Sequence, residues 1–263
     1  MLNLLQGRLF VMVLFCLAIT ASCHADQQQR ALLKPPAAAP AGINISHARR
    51  YLMGKFDPKT TPLFVKIPKK YADRPGMYLR KEALAAFIQM QQAAQRDGVH
   101  LVIRSATRNF NYQKSIWERK WSGKKRLSDG TNARHIKDPK TRALRILEYS
   151  SMPGTSRHHW GSDIDLNAFN NHWFEAGEGL KVYQWLTANA AKYGFCQPYT
   201  PNRPSGYKEE KWHWSYMPLA RELLRSVPLA LQDQDIQGFQ GSDTAVQIGV
   251  VNKYVLGVNP ECK

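Results

Sequence analysis

The stretch "SRHHWGSDIDL", residues 156–166, sets two histidines, a glycine and two aspartates close together, and "EEKWHWSY" later places Glu210 shortly before His213. Imidazole and carboxylate are the donors from which a catalytic zinc site draws three protein ligands, leaving a fourth position for water. A carboxylate outside the ligand set can then act as general base. His158, Asp165 and His213 are the candidate ligands, and Glu210 the candidate base. His and Asp also meet in ordinary loops, and a strand histidine between tryptophans is commonly a packed core residue. The pattern alone therefore leaves a metal site and a structural turn both open.

Local elements must carry these groups to one place. In "SDIDL" the strand alternation puts Asp163 and Asp165 on one face and Ile164 and Leu166 on the other. Gly161 lets the chain turn sharply and return a histidine beside that strand. "KWHWSYM" alternates in the same way, so Trp212 and Trp214 fall opposite His213, where packing is their default role. His159 and Trp160 line the pocket mouth or cover the core, and His135 and His172 read as surface residues. "RKEALAAFIQMQQAAQR" (80–96) predicts a helix with an apolar stripe through Leu84, Phe87 and Ile88, stopped at Asp97-Gly98. "VHLVIRSATR" reads as a short β-rich run. Further helices are expected over Tyr112 to Trp121, Leu144 to Tyr149, and Leu180 to Tyr193. The mixed order without βαβ alternation points to an α+β fold, a small antiparallel sheet packed by helices. Residues 226–263 carry no recognisable chemistry and are expected to pack on the domain as a C-terminal extension, with a strand near the end.

A 263-residue chain with 43% hydrophobic residues, seven tryptophans and eleven tyrosines can bury a proper core. Residues 1–25 combine an arginine, a short apolar run and a small polar end, as a secretory signal peptide does. Cleavage at Ala25 competes with a lipobox ending at Cys23, but threonine stands where leucine is usual there. The expectation is a soluble exported protein of the periplasm or cell envelope, with a lipid anchor at Cys23 as the alternative. Residues 26–45, rich in Ala, Pro and Gln, read as a flexible linker before a domain over 46–225. After cleavage at Ala25, Cys196 and Cys262 remain, and an oxidising compartment favours their pairing over two buried thiols. The net charge of +17 is densest between Lys114 and Arg145. Export makes nucleic acid an unsuitable partner and an anionic cell-wall polymer or membrane surface a better match for that field.

Ser156-x-His158-x-x-Gly161-x-x-x-Asp165, followed by Glu210-x-Trp212-His213, resembles the zinc signature of the VanY-type D-alanyl-D-alanine carboxypeptidases, S-x-H-x-x-G-x-A-x-D and E-x-W-H. Upstream, "SATRNFNYQ" resembles the family's S-G-Y-R-S-x-x-x-Q segment and aligns Arg108 and Gln113. The chain departs from the pattern at Asp163, where alanine is usual, and at Ala106-Thr107, where glycine-tyrosine is usual. The likeness runs from about Tyr51 to Pro218. It implies the compact fold shared by these zinc peptidases and the hedgehog signalling domain.

The resemblance also implies roles. His158, Asp165 and His213 would hold one Zn2+, and Glu210 would move protons between water and leaving amine. Arg108 would bind the substrate at its carbonyl oxygen or terminal carboxylate. Gln113 and Ser156 would offer neutral hydrogen bonds to the peptide. The implied reaction removes the terminal D-alanine from peptidoglycan stem peptides ending in D-Ala-D-Ala; separately from the resemblance, a monomer is the expectation. Removal across an L,D bond, an internal cut, or a silent cell-wall binding module are the alternatives. Retention of Glu210 favours the enzyme, since a binder needs no base beside the metal. Asp163 would either point away from the metal or alter its charge.

Overall fold

The computed structural model of the chain describes residues 45–263. The expected signal peptide and all but the last residue of the expected linker lie outside the described residues. The first helix, α1 (Ile45–Leu52), is tied to the far end of the chain, where Arg49 Nε donates to the Ala230 carbonyl at 2.8 Å. Strands β1 (Phe64–Lys66) and β2 (Tyr78–Arg80) pair antiparallel, Val65 opposite Leu79. Three residues per strand are too few for alternation to mark this ribbon in the sequence. Helix α2 (Lys81–Arg96) buries Leu84, Phe87, Met90 and Ala94 on one face. It stops where Gly98 takes φ +73°, a conformation that costs glycine little, and Val99 N–H caps the Ala94 carbonyl at 2.8 Å.

The main sheet has the order β3 (Ile103–Ser105), β4 (Asp163–Leu166), β6 (His213–Tyr216), β5 (Phe195–Cys196), with antiparallel neighbours throughout. Register decides function here. Asp163 faces Ser215, Ile164 faces Trp214, and Asp165 faces His213. Residues opposite one another point to the same side of a sheet. One face therefore carries Ile164, Leu166 and Trp214 into a core shared with α2 and with α5 (Gly177–Asn189) through Val182 and Leu186. The other face carries Asp163, Asp165, His213 and Ser215, all buried.

A second apolar core is built from α3 (Phe110–Trp121), α4 (Pro139–Leu147), α6 (Met217–Ala230) and α7 (Thr244–Ile248), and its Tyr199 packs against the His213 ring of the polar face. Helix α4 starts five residues before the expected Leu144 and ends two before Tyr149, because Asp138 Oδ2 accepts from Thr141 N–H at 2.7 Å with proline at the first helical position. The expected boundary at 225/226 falls inside α6. The expected strand near the end is absent; the segment forms α7, a single π-helical turn over Val251–Val255 and a 3-10 turn over Pro260–Cys262. Buried Val250, Val251, Tyr254 and Val255 recur as neighbouring pairs one turn apart, a helical rather than a strand pattern. Cys196 and Cys262 lie with Cα atoms 5.8 Å apart, within the span of a disulfide. Among the described residues no helix is long and apolar enough to cross a membrane.

Candidate metal centre

The site is built on one turn and two strands. A 3-10 turn, Arg157–Trp160, ends at Gly161 in the left-handed region (φ +74°, ψ 14°), which drops the chain directly into β4. His158 Nδ1 lies 2.8 Å from the Ala106 carbonyl, so its N–H points there and the Nε2 lone pair is turned inward. Nε2 stands 3.2 Å from Asp165 Oδ2 in an orientation that makes no hydrogen bond. His213 Nδ1 lies 3.4 Å from Asp165 Oδ1. One ligand atom from each of His158, Asp165 and His213 lies within 4.8 Å of the other two. His158 Nε2 and Asp165 Oδ1 are buried with no hydrogen-bond partner among the described residues. Two imidazoles and a carboxylate converging on one point, with one donor atom on His158 and one on Asp165 left unsatisfied, fit a divalent ion such as zinc.

Glu210 Oε2 lies 3.1 Å from His213 Nδ1, beside the cluster. Arg108 reaches the same place, Nη1 at 3.8 Å from Asp165 Oδ2. Its backbone is held from both sides: Arg108 N–H donates to the His158 carbonyl at 3.1 Å, and His159 Nδ1 donates to the Arg108 carbonyl at 2.6 Å. His159 Nε2 accepts from Gly154 N–H at 3.0 Å, so His159 is a buried strut rather than part of the pocket mouth. Trp160 packs in the second core, and His135 and His172 are exposed. A small cleft is lined by Arg108, Gln113, Ser151, Tyr207, Glu210 and His213 among others. Gln113 Nε2 donates to the Ser151 carbonyl at 2.7 Å, leaving Oε1 unpartnered among the described residues. Ser156 is buried at the base of the turn and is not among the residues lining the cleft.

Sequence reasoning missed three neighbours. Tyr207 OH is buried in the cleft wall with no hydrogen-bond partner among the described residues. Lys120, one helical turn beyond Trp117 on α3, donates to Ser150 Oγ at 2.5 Å, and burial lowers its pKa to about 8. Arg157 is wholly buried beside Asp163. The i, i+3/i+4 spacing of Gln113, Trp117 and Lys120 could have placed all three along one helix side, but nothing local marks a tyrosine hydroxyl or a buried arginine.

Burial raises the Glu210 pKa, against the pull of His213, which suits a group that must accept a proton near neutrality. Burial and the Arg108 charge keep His158 neutral, below the ordinary histidine range. Burial alone would lower His213 too, but hydrogen bonds to Asp163 and Glu210 and the Asp165 charge carry it up to about 9. Despite burial, the neighbouring histidines hold Asp165 ionised, at about 2.

A small antiparallel sheet that presents two histidines and an aspartate from a turn and two strands, with a separate glutamate alongside, defines a metallopeptidase-like centre. The profile of the VanY D-alanyl-D-alanine carboxypeptidase family matches residues 76–219, more than half of the chain, and the chain belongs to that family. A D-alanyl-D-alanine carboxypeptidase of Enterococcus faecalis is 31% identical over 127 residues, covering 48% of this chain and 43% of the relative. One from Enterococcus faecium is 26% identical over 147 residues, covering 55% of this chain and 39% of the relative. The chain thus spans less than half the length of these relatives. Among solved structures, the LdcB LD-carboxypeptidase aligns at 24% identity with a TM-score of 0.48, over 68% of this chain and 77% of that one. VanYB, solved in complex with D-alanine-D-alanine, aligns at 24% identity with a TM-score of 0.46, over 63% and 88%.

Proposed function

We propose that this chain is a zinc-dependent carboxypeptidase that hydrolyses the terminal D-alanine from peptidoglycan stem peptides ending in D-Ala-D-Ala. The observation that carries the reading is Glu210: a buried carboxylate 3.1 Å from a ligand imidazole, on the cleft wall and outside the ligand set. His158, Asp165 and His213 would hold the ion. Bound zinc supplies Lewis acidity to the scissile carbonyl and acidifies a water. Glu210 takes a proton from the attacking water and hands it to the leaving amine. Arg108, its backbone pinned by His158 and His159, donates charge-assisted hydrogen bonds to the substrate carbonyl oxygen or terminal carboxylate. Gln113 offers its free Oε1 to a peptide N–H.

The reading extends to export under a signal peptide at residues 1–25, to a Cys196–Cys262 disulfide in the oxidising compartment, and to work as a monomer near an anionic cell-wall or membrane surface. The test uses protein lacking residues 1–25 and defined stem peptides analysed by mass spectrometry. Loss of one D-alanine from a pentapeptide is expected, with Glu210→Gln retaining zinc and losing the activity. Cleavage only of a tetrapeptide, or only within the peptide, moves the specificity to an L,D-carboxypeptidase or an endopeptidase. A Glu210→Gln protein that hydrolyses as fast as the parent refutes the assigned base.

A further inference from the structure

Asp163 occupies the signature position where alanine is usual, and it does not join the ligand cluster. Its Oδ2 lies 2.8 Å from His213 Nε2, on the opposite side of the imidazole ring from the Nδ1 that faces Asp165 and Glu210. The same oxygen accepts from Arg157 Nε at 3.1 Å. The other carboxylate oxygen accepts from Ser162 Oγ at 2.5 Å. Arg157 donates through Nη2 to Ser215 Oγ at 2.5 Å and lies over the Trp160 ring, 4.7 Å from its centroid. Neither side chain of the Arg157–Asp163 pair has any solvent exposure.

Burying two full charges in a core is expensive, and a stability argument alone does not account for it, because well-packed apolar residues commonly serve as well or better. The pair converges on one atom, His213 Nε2. An imidazole whose Nε2 proton is held by a carboxylate keeps its lone pair on Nδ1, and its ring is fixed about both side-chain torsions. We infer that Asp163, itself anchored by Arg157, is a positioning residue that fixes the His213 ring and tautomer so that Nδ1 is presented to the metal. The Arg157 charge offsets the added carboxylate, so the orientation comes without an extra negative charge behind the ligand. The inference deepens the metal reading proposed above and rests on it.

The experiment compares Asp163→Asn with Asp163→Ala. Both remove the same charge beside Arg157 and share that structural cost, but only asparagine still offers an oxygen to His213 Nε2–H. Zinc affinity is measured by chelator competition, and the His213 tautomer by 15N NMR of the zinc-loaded protein. The alanine variant is expected to bind zinc about tenfold or more weakly than the asparagine variant, in the range seen when outer-shell partners of ligand histidines are lost. His213 should keep its Nε2–H signal in the parent and in Asp163→Asn. Should Asp163→Ala not fold, Arg157→Met with Asp163→Ala removes both charges and takes its place under the same expectation. Equal zinc affinity and an unchanged tautomer without the carboxyl or amide oxygen overturn the inference while leaving the enzyme reading intact. A parent protein that takes up no stoichiometric zinc overturns both.

Discussion

Replacing Gly161 by alanine places a methyl group where the structure has no room for one. The residue sits at φ +74°, and a Cβ built on it meets Phe64 Cε1 at 2.3 Å, Arg80 Cγ at 2.8 Å and Phe64 Cζ at 3.0 Å. The left-handed backbone costs alanine about 1 kcal/mol. Overpacking adds about 1–3 kcal/mol, since the Phe64 ring is itself held against Phe56 and Tyr51. Gly76 offers the matching control: it has φ +86° with nothing within 4 Å of a built Cβ, so Gly76→Ala carries the backbone cost alone. Urea unfolding of both variants should separate them by about 1–3 kcal/mol. The turn behind Gly161 also carries His158, so zinc affinity should fall in Gly161→Ala and not in Gly76→Ala. Equal midpoints for the two variants would show that Phe64 and Arg80 move aside freely, and the steric account of this motif glycine would be wrong.

Other expectations follow from the site and the chain ends. Because metal-free His213 titrates at about 9, zinc uptake releases its proton, and apparent affinity should tighten about tenfold per pH unit from 6.5 towards 9; a flat competition profile refutes this. The same shift has the opposite sign for the metal-free protein. Its folded state holds the extra proton between about pH 6.5 and 9, so this stabilisation is intact below 6.5 and lost as pH rises through 9, a trend that thermal melts in chelator would read. Arg108→Ala should leave zinc affinity within a few-fold and lower kcat/KM about a hundredfold; lost stability with unchanged kinetics would mark a structural ion pair instead. Reducing Cys196–Cys262, separated by 66 positions, should cost about 4 kcal/mol if the disulfide forms, and two titratable thiols in the unreduced protein would rule the bond out.

What could be read from sequence was whatever is encoded within one element. The alternation of "SDIDL" and "KWHWSYM" sorted Asp163, Asp165 and His213 from Ile164 and Trp214, and the register of β4 on β6 then sets Asp165 against His213. The stripe and stop signal of α2 were equally local. The missing pieces depend on partners distant in the chain. Arg157 looks like a surface residue until Ser215, 58 positions away, is folded against it. The tail reads as β-rich because Val and Ile favour strands, but the β5 edge of the sheet is two residues long and the apolar pairs fill the second core instead. His159 looks like a rival ligand to His158, and only the carbonyl of Arg108 and the amide of Gly154 show it to be a strut.

The buried charges of the site also bear on which substrates it suits. Without metal, the carboxylates of Asp163, Asp165 and Glu210 are matched by the guanidiniums of Arg157 and Arg108 and by an imidazolium on His213. Exchanging one proton for a divalent ion leaves that set with a surplus positive charge, and Lys120, which feels both Glu210 and Arg108, adds to it. A buried surplus in a cleft is costly until an anion enters. The free carboxylate at the end of a peptide is such an anion, whereas an internal peptide bond brings none. A chain-end carboxylate is the ligand such a surplus would suit, in line with the carboxypeptidase proposed above, and Arg108, whose Nη1 only approaches Asp165 Oδ2 at 3.8 Å, is the residue that proposal aims at it.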